Sequence, residues 1–281
     1  MKHLSLQQAI AEFVKDGQTL AMEGFTHLIP FAAAHEIIRQ GRKDLTLMRM
    51  TPDIIYDQLI GMGCVSRMIF SWGGNPGVGS LHRLRDAVEK HWPRPIELDE
   101  RSHAAMAAAY QAGASGLPFA MLAGFVGSDL PSVNPNIRHI ECPFTGQRLA
   151  AVPALTPDVG IIHAHLADKA GNVLLRGITG VQKEAAMAAR EVIVTVEDVV
   201  DELDAPQNSV ILPSWVVSAV AKVPGGAHPS YVHGVYDRDN AFYQEWDAIS
   251  RDRDAFRAWI QEYVLDTGDH AGYLARLGAR S

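Results

Sequence analysis

The chain is 281 residues long, 47% apolar and 20% charged, with a formal net charge of −7 and two cysteines. That length and apolar content provide for a sizeable core in a globular protein, while the negative balance argues against nucleic acid, whose phosphates need a basic stripe. Cys64 and Cys142 form no CxxC pair, no apolar run approaches the roughly 18–20 residues of a membrane span, and Met1-Lys2-His3-Leu4-Ser5 lacks a signal-peptide core, so the expectation is a cytoplasmic protein without disulfide framework, metal site or membrane contact.

Helical and strand-like runs then alternate. Leu6, Ala9, Ile10, Phe13 and Val14 mark a first helix ended at Asp16-Gly17; Thr19 to Met22 reads as a strand, and Glu23 to Ile29 as a loop. Pro30 opens a helix through Ile38 that Gly41 closes, Asp44 to Met50 is the next strand, Asp53 to Ile60 a helix, and Val65 to Phe70 another strand. Ser71 to Ser80 carries four glycines and a proline, after which Ser80 is expected to cap a helix bearing Leu81, Leu84, Ala87 and Val88. Ala104 to Ala112 is an alanine-rich helix with Ser102 as its expected N-cap. Leu117-Pro118 starts a short strand, and Gly124 to Asn136 reads as loop. Leu149–Val152, Val159–His163 and Val192–Val196 follow as strands, with a helix near Gln182 to Ala189; helical patterns run from about 240 to the end. The rhythm is βαβ with short connections, so the fold class is α/β: an open, mostly parallel twisted sheet covered by helices, as one domain over 1–281 with a helical C-terminal tail.

Such sheets bind ligands outside the carboxyl ends of their strands. Three segments fall there: Glu23-Gly24-Phe25-Thr26-His27, the 71–80 turn, and Asp99 to His103. Glycine allows close backbone approach and a helix N-terminus offers unpaired N–H groups, so strand, bare turn and capped helix suggest an anion or carbonyl cradle; a tight connection without ligand is the competing reading. Glu23 at a strand end is a candidate acid, base or nucleophile, or else a carboxylate that bonds loop N–H groups. His163 and His165 share one face of a strand without a third metal ligand nearby, and Asp168-x-x-Gly171-Asn172 reads as turn chemistry. No P-loop, HExxH or Ser-His-Asp arrangement appears.

Six stretches taken in order resemble the alpha (A) subunits of the class I CoA-transferases, glutaconate CoA-transferase type. They are Asp16 to Phe25, Asp158 to His165, Asp168 to Asn172, Val194 to Val200, Pro224 to Ser230, and Asp269-His270-x-x-Tyr273-Leu274-x-x-Leu277-Gly278. Glu23 to Pro30, Ser71 to Ala87, and Ser102-His103 with Gly113 to Phe119 look most like the branch acting on 3-oxoadipate in aromatic-compound degradation. Where the wider family often has Gly-Gly-Phe, this chain has Glu23-Gly24-Phe25; and the helix after Ser102-His103 lacks the acidic start of the related ring-opening hydrolases, although Glu100 lies close.

The resemblance implies the CoA-transferase family I fold and a chain that is half of an enzyme. Its partner, the CoA-transferase B subunit, brings the nucleophilic glutamate, so no catalytic residue is expected here; a heterodimer or A2B2 heterotetramer follows. No cofactor is held permanently, and a CoA thioester is the substrate. The expected reaction moves CoA from succinyl-CoA to 3-oxoadipate. Glutaconate or another short acid as acceptor, and CoA-ester hydrolysis, remain alternatives. Gly24, Phe25, Gly73, Gly74, Gly77 and Gly79 are expected to line the crevice facing that glutamate. Thr26, His27, Ser71, Asn75, Ser102 and His103 are the expected polar contacts.

Overall fold

The computed structural model describes residues 1–76, 78–125 and 127–278. Its strands are β1 (Lys2–His3), β2 (Thr19–Glu23), β3 (Leu45–Arg49), β4 (Val65–Phe70), β5 (Glu97–Glu100), β6 (Phe119–Leu122), β7 (Arg138–Glu141), β8 (Arg148–Pro153), β9 (Val159–Asp168), β10 (Val173–Leu175), β11 (Glu191–Val200), β12 (Val210–Leu212) and β13 (Ala219–Lys222). Eight of them form the parallel path β1-β13-β11-β9-β2-β3-β4-β5; β10 pairs antiparallel with β9 and β12, and β6-β8-β7 make a separate antiparallel sheet. From β2 the chain builds outward to β5, then returns to lay β9 on the other side of β2. The strand order therefore reverses between β2 and β9, and a crevice opens beyond their carboxyl ends.

The helices are α1 (Leu6–Phe13), α2 (Phe31–Arg39), α3 (Ile54–Gly61), α4 (His82–Lys90), α5 (His103–Ala114), α6 (Leu130–Val133), α7 (Gln182–Ala188), α8 (Asn240–Arg251), α9 (Arg253–Ile260) and α10 (His270–Gly278), with a π turn over Gln261–Leu265. Period-two alternation distributes the strand side chains between two cores. Leu20, Met22, Leu45, Leu47, Met68 and Phe70 join α1, α2 and α3 on one face; Ala21, Met48 and Ile69 meet the alanine face of α5 and the small sheet on the other. Because both faces are covered, β2, β3 and β9 carry almost unbroken buried runs. The C-terminal helices are part of this packing. Trp246 is fully buried, stacks on Phe242 and donates its indole N–H to Asp57 (3.2 Å).

Local chemistry sets the ends of several elements. Ser5 and Gln8 form a reciprocal capping box on α1, Asp53 caps α3, and Ser102 accepts from Ala105 N–H to cap α5, as its position predicted. Ser80 does not cap α4. The N-cap is Leu81, and the first free amides, those of Arg83 and Leu84, donate instead to the buried Asp57 carboxylate at 2.8 and 3.0 Å. A tertiary contact thus replaces the local cap. Asp168 and Asn172 do make a turn, with three hydrogen bonds between them.

Candidate active site

Three adjacent strands deliver their loops to one place. A cavity of about 200 Å³ lies between the turn after β2 (Phe25, Thr26, Ile29), the end of β3 (Arg49, Thr51, Asp53) and the glycine turn after β4 (Trp72, Pro76); Arg238 and Tyr243 close it from the C-terminal part of the chain. Both glycine-bearing turns singled out in the sequence therefore face a common space at the strands' carboxyl ends. A drug-sized pocket spans roughly 300–1,000 Å³. This one suits a short acid, not the bulk of coenzyme A.

The first turn is tightly constrained. A Cβ on Gly24 would lie 2.7 Å from Leu28 O and 2.8 Å from Ile29 Cα, both backbone atoms. Thr26 and Leu28 sit in the left-handed region at φ 64° and 54°, a conformation that costs energy without glycine. Neighbouring groups hold them there: Tyr231 O accepts from Leu28 N–H (3.1 Å), Ser230 Oγ donates to Thr26 O (3.0 Å), and Arg49 donates to Gly24 O (2.8 Å). Gly74 is different, since its added Cβ would meet only the ring of Trp72, which is 46% exposed and free to swing. Gly24→Ala is accordingly expected to destabilise the protein by about 1–3 kcal/mol and to lower turnover at least tenfold, while Gly74→Ala changes either by less than about twofold. Thermal unfolding and steady-state rates of the two variants, side by side, check this contrast.

Four amides of the second turn are spent on backbone carbonyls. Gly74 N–H donates to Pro52 O (3.1 Å), Asn75 N–H to Gly79 O (2.9 Å), and Val78 and Gly79 N–H to Asn75 O (3.0 and 3.1 Å). The α4 N-terminus is likewise occupied, by Asp57, whose carboxyl burial pushes up to about 6. Gly73 backs onto Leu84, and Gly77 lies outside the described residues. Asn75 is buried and turned inward, its amide donating to Tyr243 O (2.8 Å). It supports the cavity wall from behind.

The remaining polar candidates divide by location. Ser71 Oγ donates to Met50 O (2.7 Å) and lies 2.9 Å from His103 Nδ1, so these two come together next to the glycine turn, while the Ser102 hydroxyl is engaged as the α5 cap. His27 points away from the cavity. Its ring is fully buried, stacks on Tyr231 and packs against Gly177; burial pushes its pKa down to about 4, so it is a neutral imidazole at physiological pH. Glu23 is buried beneath the turn and accepts Met50 N–H (2.9 Å); burial raises its pKa to about 7 against the opposing pull of Arg49. Glu100 lies on the edge strand β5, with its backbone O taken by Asn134. His163 is bound by Thr195 (2.8 Å) and Glu197 (2.7 Å), and His165 by His233 O.

Sequence reasoning missed the charged lining. Arg49, fully buried, makes a two-point pair with Asp53 (3.0 and 3.2 Å), four residues on. An arginine ending the apolar run Leu45-Thr46-Leu47-Met48 just before a capping aspartate is the signal that could have revealed it. Arg238 has no such signal. It reaches the cavity from 162 positions beyond Pro76, whose carbonyl accepts from it at 3.0 Å.

Among the described lining residues the carboxylate of Asp53 is tied to Arg49, while Glu23 lies beneath the wall. A family model described as coenzyme A transferase matches residues 3–223. The chain belongs to the coenzyme A transferase family. Among relatives of this CoA-transferase chain, the A subunit of 3-oxoadipate CoA-transferase from Pseudomonas knackmussii is 65% identical over 98% of this chain and 97% of its own length. The crystal structure of glutaconate coenzyme A-transferase from Acidaminococcus fermentans superimposes with a TM-score of 0.92 at 34% identity, covering all of this chain and 94% of that one. A cholesterol ring-cleaving hydrolase IpdA subunit of Rhodococcus jostii is 25% identical over 95% of this chain and 93% of its own. The transferase fold is thus the one described above. Coenzyme A thioesters are the substrates of the family, and among the described residues no helix is long and apolar enough to cross a membrane.

Proposed function

We propose that this chain is the A subunit of a 3-oxoadipate CoA-transferase that moves CoA from succinyl-CoA to 3-oxoadipate, leaving 3-oxoadipyl-CoA and succinate. The observation that carries the reading is the 65% identity across nearly the whole chain, together with a cavity of short-acid size whose lining carboxylate, Asp53, is paired with Arg49. The partner, the B subunit, supplies a glutamate. Its carboxylate attacks the thioester carbonyl and expels CoA thiolate, leaving a mixed succinic–glutamyl anhydride. The thiolate then attacks the glutamyl carbonyl, releasing succinate and leaving a glutamyl-CoA thioester. The carboxylate of 3-oxoadipate repeats the two steps in reverse. Each attack passes through a tetrahedral oxyanion, where a preorganised N–H donor is worth about 2.7–4 kcal/mol. In this scheme the turn at Gly24, Phe25 and Thr26, with Gly73 and the neighbouring Ser71–His103 pair, forms the wall facing the glutamate, in an A2B2 assembly in the cytoplasm.

The separate chain is expected to transfer no CoA, and mixing it with its B-type partner should restore turnover with succinyl-CoA and 3-oxoadipate. Transfer by the purified chain alone would overturn the division of labour. Trapping a glutamyl-CoA adduct on the partner with borohydride separates transfer from hydrolysis by water.

A further inference from the structure

A dicarboxylic acyl group brings a second carboxylate that takes no part in the chemistry, and the cavity contains two cations that could receive it. Arg49 is already paired: both terminal nitrogens are engaged by Asp53, and one also holds Gly24 O, with Nε alone left without a partner. Arg238 is not. Its guanidinium carbon lies 3.8 Å from the centre of the Tyr243 ring, and Nη2 donates to Pro76 O. Among the described residues no carboxylate oxygen lies within 4 Å of it, although Asp53 lines the same cavity and Asp239 is its neighbour in sequence. Asp239 instead bonds His228 and caps α8 through Phe242 N–H.

The support beneath Arg238 is rigid. Tyr243 is 1% exposed, and its carbonyl is fixed by the Asn75 amide, while Pro76 belongs to the glycine turn itself. Over the ring, Arg238 keeps its Nε buried without a hydrogen-bond partner, and a guanidinium matches a carboxylate in two-point geometry. A cation held in place inside a small cavity, with no internal counter-charge in contact, is the arrangement an anionic ligand group completes.

We propose that Arg238 binds the carboxylate remote from the reacting carbon and thereby selects dicarboxylic over monocarboxylic acyl groups. The proposal rests on the reading of the substrate as a dicarboxylic acid and makes Arg238 a residue of specificity. It also accounts for the position of Asn75, which stabilises the platform under Arg238 and does not touch the ligand.

The test uses the assembled A–B enzyme with succinyl-CoA as donor, comparing 3-oxoadipate with 3-oxohexanoate, where a methyl replaces the remote carboxylate. In a ping-pong scheme kcat/KM for the acceptor reports the acceptor half-reaction alone. Arg238→Gln is expected to lower kcat/KM for 3-oxoadipate roughly 10- to 100-fold and to leave 3-oxohexanoate within about twofold. Arg238→Lys, which keeps the charge and loses the fork, should fall between. Competitive inhibition by adipate should weaken in parallel, and that by hexanoate should not, which gives the same comparison without turnover. Equal losses for both acids would reduce Arg238 to a structural prop, and an unchanged value for 3-oxoadipate would place the remote carboxylate elsewhere; either overturns the proposal. Failure of the wild-type enzyme to use 3-oxoadipate counts against the proposed substrate alone when it prefers another short dicarboxylate, on which the same comparison is then made. A wild-type enzyme that accepts only monocarboxylic acids overturns both.

Discussion

Replacing Arg49 by methionine should lower the unfolding free energy by about 3–5 kcal/mol, because it leaves a buried aspartate without its counter-charge. Both side chains of the Arg49–Asp53 pair are 1–2% exposed, so water cannot take over the lost partner. The loss spreads to the site, since Arg49 also donates to Gly24 O and crosses from β3 to the turn after β2. Denaturant titration of the variant measures the first effect. The double variant Arg49→Met, Asp53→Asn discriminates its cause. Asparagine still caps α3 but carries no charge, so the double variant should recover much of the stability. A single-variant loss below about 1 kcal/mol would mean that Asp53 reaches solvent or a proton. In either variant the Gly24 carbonyl lacks its donor, so stability recovered without turnover would show that this bond positions the turn.

What could be read in the sequence follows from how each feature is made. The strands β2, β3, β4 and β9 were legible because a doubly covered parallel sheet demands apolar runs, and the turn at Gly24 because close backbone approach demands glycine; the turn after β4 was legible by composition alone, since a Cβ on Gly74 would meet only the Trp72 ring. β7, Arg-His-Ile-Glu, was not legible: it lies exposed in the small sheet and has no apolar run to announce it. β10, β12 and β13 are three or four residues long, too short for periodicity to speak. Within the site, backbone features were visible and side-chain partnerships were not. Ser80 has the right chemistry for a cap, yet Asp57, which is 26 positions from Arg83 and buried among Trp246 and α4, reaches the same amides. His27 sits next to a lining threonine, but the left-handed turn at Thr26 and Leu28 rotates it onto Tyr231. Arg238 was invisible for the same reason. Its platform, Tyr243, and its acceptor, Pro76, meet only in the folded chain.

The Glu23→Gln variant should gain stability over the wild type as pH rises, by roughly 3 kcal/mol between pH 4.5 and 8, since each tenfold change in proton affinity is worth about 1.36 kcal/mol. The sign follows from proton binding. Burial raises the native pKa of Glu23 from 4.5 to about 7, so in that window the native state holds a proton that the unfolded chain has released. Unfolding therefore gives up a proton, and wild-type stability falls as pH climbs through the interval, levelling off above about 7. Glutamine keeps an oxygen to accept Met50 N–H and has nothing to ionise, which removes the slope. Parallel urea titrations of both proteins across this range measure the difference; a constant offset would show that Glu23 ionises in the fold as it does in water. The same variant addresses the chemistry. Were Glu23 the reacting carboxylate, glutamine would abolish transfer at every pH. As a buried brace beneath Gly24, it leaves turnover of the assembled enzyme within about threefold at pH 8. That outcome removes Glu23 as the reacting carboxylate.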